Sequence, residues 1–206
     1  MAFPALNCDE VQHLAAAMAD ARRYLDGDAV LHLQRQLTGC AAADGSNGPQ
    51  SALLAVLGVV AVIEQQARQV KPDVRRGLLT VGARGAEFAG WLYRDARSPD
   101  LALHWCDRAV EWAQEAGDWP MQGYVLLKKS QAAWDERDGL RMLTLAQASQ
   151  TGPWTLPARV RAEAAQQEAR GLAMTGEAWQ HVERKLDAAW TLGDLLLRGR
   201  ATTPCR

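Results

Sequence analysis

The run Ala89-Gly90-Trp91-Leu92-Tyr93, a short break at Arg97-Ser98-Pro99, and then Ala102, Cys106 and Ala109 decide how this chain folds. The first stretch sets a glycine three residues before a tyrosine. The second places small residues at steps of four and three, which lines them up on one face of a helix. Helices whose facing positions are Gly, Ala and Cys approach closely, so the pair reads as an antiparallel hairpin. Related breaks recur about every 37–42 residues through the C-terminal two-thirds. Asp118-Trp119-Pro120 and Thr155-Leu156-Pro157 mark two helix starts 37 residues apart, and Asp138-Gly139 and Thr175-Gly176 mark two mid-unit breaks at the same separation. Ser98-Pro99-Asp100 is a further start signal: a capping hydroxyl, proline at the first helical position and an acid facing the positive end of the helix dipole.

Gly-x-x-Tyr followed by Ala-x-x-x-Cys-x-x-Ala is similar to a tetratricopeptide unit. The expected fold is therefore all-α, with antiparallel hairpins stacked in a right-handed, tetratricopeptide-like solenoid of about eight or nine helices. No alternating Val/Ile/Thr/Tyr run bounded by Asn-Gly turns argues for strands. Upstream, Asp9 caps a helix running to about Leu25, Asp26-Gly27-Asp28 breaks it, and Asp28 starts a second helix through Leu31, Leu33 and Leu37. Asp44-Gly45-Ser46-Asn47-Gly48-Pro49 is the longest turn-rich stretch. Residues 1–45 are accordingly expected as an N-terminal helical hairpin, 50–192 as the repeat region and 193–206 as a flexible tail.

The chain has 206 residues, 48% hydrophobic and 23% charged, enough to bury a substantial core. A net charge of -1 argues against direct nucleic-acid binding and against an anionic membrane surface. Leu53 to Ile63, the longest apolar run, is too short to span a bilayer and reads as a buried helix. Cys8, Cys40, Cys106 and Cys205 are far apart with no Cys-x-x-Cys, so no metal site or disulfide framework is expected and reduced thiols in a cytoplasmic protein fit. No basic region followed by an apolar stretch marks a signal peptide. Eight Trp against three Tyr and two Phe is an unusual aromatic content. Packed wedges between helices are the first expectation for them, and an aromatic-lined pocket is the second.

No catalytic motif emerges. Gly82-Ala-Arg-Gly85 lies mid-helix and lacks the Lys and Ser/Thr of a phosphate loop, and neither Gly-x-Ser-x-Gly nor His-Glu-x-x-His occurs. His13, His32, His104 and His181 fall on different helices, and His104 and Cys106 are two positions apart and so face differently. No catalytic residue, metal ligand or cofactor is expected. The leading helix of each hairpin is more informative. With the Gly90/Tyr93 side against its partner helix, Arg84, Glu87, Trp91 and Arg94 form one stripe at steps of three and four. A shift of 37 gives Met121, Tyr124, Lys128 and Gln131, and the third unit supplies Glu163, Gln166 and Arg170. Such a strip suits a carboxylate, a peptide backbone or a polar small molecule. A solvated, salt-bridged surface is the plainer expectation for the same residues.

Gly85-Ala-Glu-Phe-Ala-Gly-Trp-Leu-Tyr-Arg-Asp-Ala, Ala109-Val-Glu-Trp-Ala-Gln-Glu-Ala-Gly-Asp and Leu156-Pro-Ala-Arg-Val-Arg-Ala carry a second likeness. The segment from about Val70 to Gly176 resembles the tetratricopeptide-like sensor half of actinobacterial helix-turn-helix transcriptional regulators, and the upstream helices resemble the start of that half. A helix-turn-helix is not expected within these residues, since little sequence precedes Asp9 and it is not basic, and the module is expected to be either a part of a longer regulator or a chain acting alone. The resemblance implies a sensor or interaction module in transcription regulation without direct DNA binding, and it carries over no site residue.

The expected function is thus a ligand- or peptide-binding regulatory module acting through protein interaction. Its contacts would come from Glu87, Trp91, Arg94, Tyr124, Lys128, Gln131, Gln166 and Arg170. The partners would be a small molecule or peptide and a protein partner or second copy of the chain. The alternative is a stand-alone all-α enzyme of secondary metabolism with a Trp-lined pocket and Glu87 or Tyr124 as acid or base.

Overall fold

A computed structural model of the protein describes residues 25–47 and 49–201, together with Gln12, Ala15, Ala16 and Asp20. The helix expected over Asp9–Leu25 lies almost wholly outside the described residues, as do Cys8, His13 and Cys205. Among the described residues the fold is all-α: eight helices and no strand. None of these helices is long and apolar enough to cross a membrane. The chain forms two compact units, Met1–Asp118 and Trp119–Arg206.

The first unit holds α1 (Gly27–Asn47), α2 (Pro49–Gln66), α3 (Pro72–Asp95) and α4 (Pro99–Ala116). Helix α1 packs on α2 and α3, α2 on α3, and α3 on α4. The cap of α1 is Asp26, whose carboxylate accepts from the backbone N–H groups of Asp28 (3.0 Å) and Ala29 (3.1 Å), so the helix starts slightly before the expected Asp28. It also runs on through the turn-rich Asp44–Asn47. Leu33, Leu37 and Cys40 bury one stripe of α1, and such packing outweighs poor local propensity. Ile63 of α2 and Trp112 of α4 both press on α3 at Gly82, where an added Cβ would sit 3.0 Å and 2.8 Å from them. Gly82 and Gly85 are therefore packing residues in a helix interior.

The second unit holds α5 (Trp119–Asp135), α6 (Gly139–Thr151), α7 (Ala158–Met174) and α8 (Trp179–Ala201). Neighbours in sequence pack on one another, and the leading helices α5 and α7 also touch directly. Helix α8 continues past Gly193, beyond the expected end near Trp190. Trp154, in the link between α6 and α7, folds back over Gly123 of α5 and donates its indole N–H to the Ser149 carbonyl at 2.7 Å.

The repeat is set by how helices end. After α3, Arg97 has φ 60°; the N–H of Arg97 reaches Arg94 O and that of Ser98 reaches Tyr93 O. The same pair of bonds closes α5 at Arg137 (φ 58°) and α7 at Gly176 (φ 79°). This is the left-handed terminator that satisfies a helix's last carbonyls, and links of three or four residues then force an antiparallel return. Arg97, Arg137 and Gly176 are 40 and 39 residues apart, so the working period is not the 37 read from the Pro and Gly pairs. Pro120 lies inside α5 whereas Pro157 is the N-cap of α7, and Gly139 opens α6 whereas Gly176 lies in a turn. Those pairs are not equivalent positions. In the structural register Gly90, Ser130 and Ala169 coincide, each seven residues before the terminator and each buried. The caps also differ from expectation: the Asp138 carboxylate accepts from Arg141 N–H at 2.9 Å, but the Ser98 hydroxyl makes no cap bond.

Candidate functional site

On α3, Gly90 faces its partner helix. A Cβ there would lie 3.1 Å from both the Ala102 carbonyl oxygen and Cys106 Sγ. That contact turns the expected strip outward: Arg84 and Trp91 are exposed, Glu87 and Arg94 half-buried. The Arg94 guanidinium lies 5.8 Å from the centre of the Trp91 ring, which is 41% exposed. A cation over an indole face is held by the ring's quadrupole.

In the second unit, Tyr124, Lys128 and Gln131 lie half-buried along α5, with Lys128 Nζ 5.0 Å from the centre of the Tyr124 ring. Met121, placed on the same strip by spacing, is buried instead at 8% exposure and belongs to the core. On α7, Gln166 is exposed, Arg170 is half-buried and Glu163 pairs with Arg159 at 3.2 Å. Arg170 crosses to α5, where its guanidinium lies 5.4 Å from the centre of the Trp134 ring. The structure therefore brings Arg170 to the helix that carries Tyr124, Lys128 and Gln131. It sets Glu87, Trp91 and Arg94 on α3 of the other unit.

Three residues went unnoticed in the sequence. Trp134 occupies the α5 position that corresponds to Arg94 in the structural register, and a period of 40 would have found it. Gln167 lies on the Glu163/Arg170 stripe, four and three residues away, and its buried Oε1 has no hydrogen-bond partner among the described residues. Glu168 is 4% exposed yet carries its carboxylate between α6 and α8. It accepts from Gln147 Nε2 at 3.2 Å, Gln150 Nε2 at 3.0 Å and Lys185 Nζ at 2.8 Å. These three donors make Glu168 a cross-link joining α6, α7 and α8.

The Trp residues divide. Trp112 is a buried wedge, Trp154 a partly buried plug and Trp105 half-buried, while Trp91, Trp119, Trp134, Trp179 and Trp190 are exposed. Cys40 and Cys106 are buried, and burial pushes the Cys40 thiol above its ordinary pKa. Among the described residues no cluster of three His, Cys, Asp or Glu side chains could hold a metal ion.

Fold and surface thus define an all-helical protein of closely packed hairpins. It is similar to the crystal structure of BtubC (BKLC) from P. vanneervenii, with a TM-score of 0.52 over 98% of this chain and 96% of that one, at 14% identity. A likeness at that identity extends to the fold alone. No protein-family model matches the sequence, and no curated protein does.

Proposed function

We propose that this chain is a regulatory module, tetratricopeptide-like in its stacking, that binds a peptide or polar small molecule and acts through protein interaction. The observation that carries the reading is the paired arrangement on α5 and α7: Lys128 over Tyr124 and Arg170 over Trp134, on two helices that pack together. Gln131 and Gln166 add amides to the same helices. Cations held against rings are pre-oriented, so a carboxylate or a polar backbone meets them at little further entropic cost. Glu87, Trp91 and Arg94 on α3 form a second contact strip, again a cation over a ring but with a carboxylate in place of the amides. A role in transcription regulation, as the regulator resemblance implies, fits such a module.

Differential scanning fluorimetry against a panel of acidic peptides and amide- or carboxylate-bearing metabolites tests the proposal. A hit that stabilises the wild type and loses its effect in Lys128→Ala/Arg170→Ala supports it. A hit that stabilises both proteins equally removes the assigned contacts.

A further inference from the structure

We infer that the Arg170 end of the α5/α7 face reads a small monocarboxylate bearing one ring-sized apolar group, with the carboxylate on Arg170 and the apolar group along Trp134 and Met174. The inference rests on the binding role proposed above and narrows its ligand. Trp134 serves it both as a contact and as the residue that positions Arg170.

Arginines elsewhere in the molecule hold acids. Arg75, Arg108, Arg141 and Arg159 each pair with a glutamate. Arg170 is half-buried, yet it makes no ion pair and no hydrogen bond among the described residues. What holds it is the Trp134 ring, 5.4 Å away at its centre. A guanidinium carries five N–H donors in a planar fork that matches a carboxylate with two parallel bonds. The indole offers those donors no oxygen to bond, so solvent or a ligand must meet them.

Acids do stand close by in sequence, since Asp135 and Glu136 follow Trp134 directly. Neither pairs with Arg170, and Glu136 instead holds Arg141 at 2.9 Å. On the stripe of Arg170 itself, Glu163 is held by Arg159 at 3.2 Å. The charge of Asp135 and Glu136 opposes a multiply charged ligand more than a singly charged one.

The surroundings of the fork are apolar. Met174, four residues further along α7, is the surface neighbour of Arg170 and is 40% exposed. Its backbone end is fixed against the start of α6, where a Cβ added to Gly139 would sit 2.7 Å from Met174 Cβ. Trp134 is 44% exposed, and its counterpart on α7 in the structural register is Ala173, too small to cover an indole. One indole and one thioether match one ring-sized group rather than a long apolar chain. A ligand of about a dozen heavy atoms on such a site binds with a Kd on the order of 1 mM.

Nuclear magnetic resonance titration of the isotope-labelled full chain with 3-phenylpropionate tests this, followed in the Trp134 indole and Arg170 backbone signals. Both should move, with a Kd on the order of 1 mM. Acetate and 3-phenylpropionamide each lack one half of the ligand and should bind at least about tenfold more weakly, and citrate should bind no better than acetate. Arg170→Lys keeps a charge without the fork and should weaken 3-phenylpropionate by about tenfold. Trp134→Ala should do the same, and Trp134→Phe should recover most of the loss, a rescue that tracks the ring and not the fold. Acid and amide binding alike, or a Kd untouched by Arg170→Lys, would overturn the inference. So would a peptide with a free C-terminal Phe that binds more than about tenfold tighter than 3-phenylpropionate and loses this on amidation, which gives the site to chain termini. Where 3-phenylpropionate fails while another ligand still depends on Lys128 and Arg170, this inference falls and the broader binding role stands.

Discussion

The guanidinium of Arg170 on α7 lies 5.4 Å from the centre of the Trp134 ring on α5, and this contact joins the leading helices of two successive hairpins. Trp134 is 44% exposed, so the pair works at a wet edge, where a cation–aromatic contact is worth about 0.5–1 kcal/mol. A double-mutant cycle of Arg170→Ala and Trp134→Ala in urea should return a coupling of about that size. A coupling of zero would mean that the two side chains merely lie near one another.

Glu168 should matter far more to stability. It is buried and bonded to Gln147, Gln150 and Lys185, so Glu168→Ala removes three hydrogen bonds whose donors can turn to water, and should cost about 1–3 kcal/mol in urea unfolding. Lys185→Met leaves a buried carboxylate with only amide partners and should cost about 1–3 kcal/mol. Loss of either side chain without a stability change would refute the cross-link.

Arg97 and Arg137 hold left-handed conformations that L side chains adopt at a cost. Arg97→Gly and Arg137→Gly should each raise stability by roughly 0.5–1 kcal/mol, after allowance for glycine's greater freedom when unfolded. The reverse change at the same turn of the third hairpin, Gly176→Ala, should lower it by about 1 kcal/mol. Thermal unfolding of the three variants measures both signs at once.

Gly123 has no room for a methyl because Trp154 lies across it, in contact with α5. Gly123→Ala should displace the indole and break its bond to the Ser149 carbonyl, costing about 1–3 kcal/mol. A red shift of Trp emission in the folded variant would report the displacement. An unchanged spectrum and stability would show that the ring yields without penalty.

The sequence disclosed the hairpin itself, because Gly90, Ala102 and Cys106 are local signals whose small size has one evident use. Pro99 likewise marked a helix start that the structure keeps. The repeat length misled because proline and glycine punctuate without fixing a position: Pro120 and Pro157 both sit near helix starts, one inside and one outside. The true landmark was conformational, the left-handed residue, which at Arg97 and Arg137 carries no glycine to advertise it. Met121 shows a second limit, since spacing alone selects a face and not its exposure. Glu168 shows a third: its burial depends on Gln147, Gln150 and Lys185 from two other helices, and no local pattern announces such a meeting.

Native mass spectrometry of the chain isolated from its own cells tests the proposed binding role most directly. The account predicts a non-covalently held peptide or polar small molecule on the wild type, lost from Lys128→Ala/Arg170→Ala while the variant keeps its helicity. A wild type that carries nothing, or a variant that retains the same molecule in full, would contradict it.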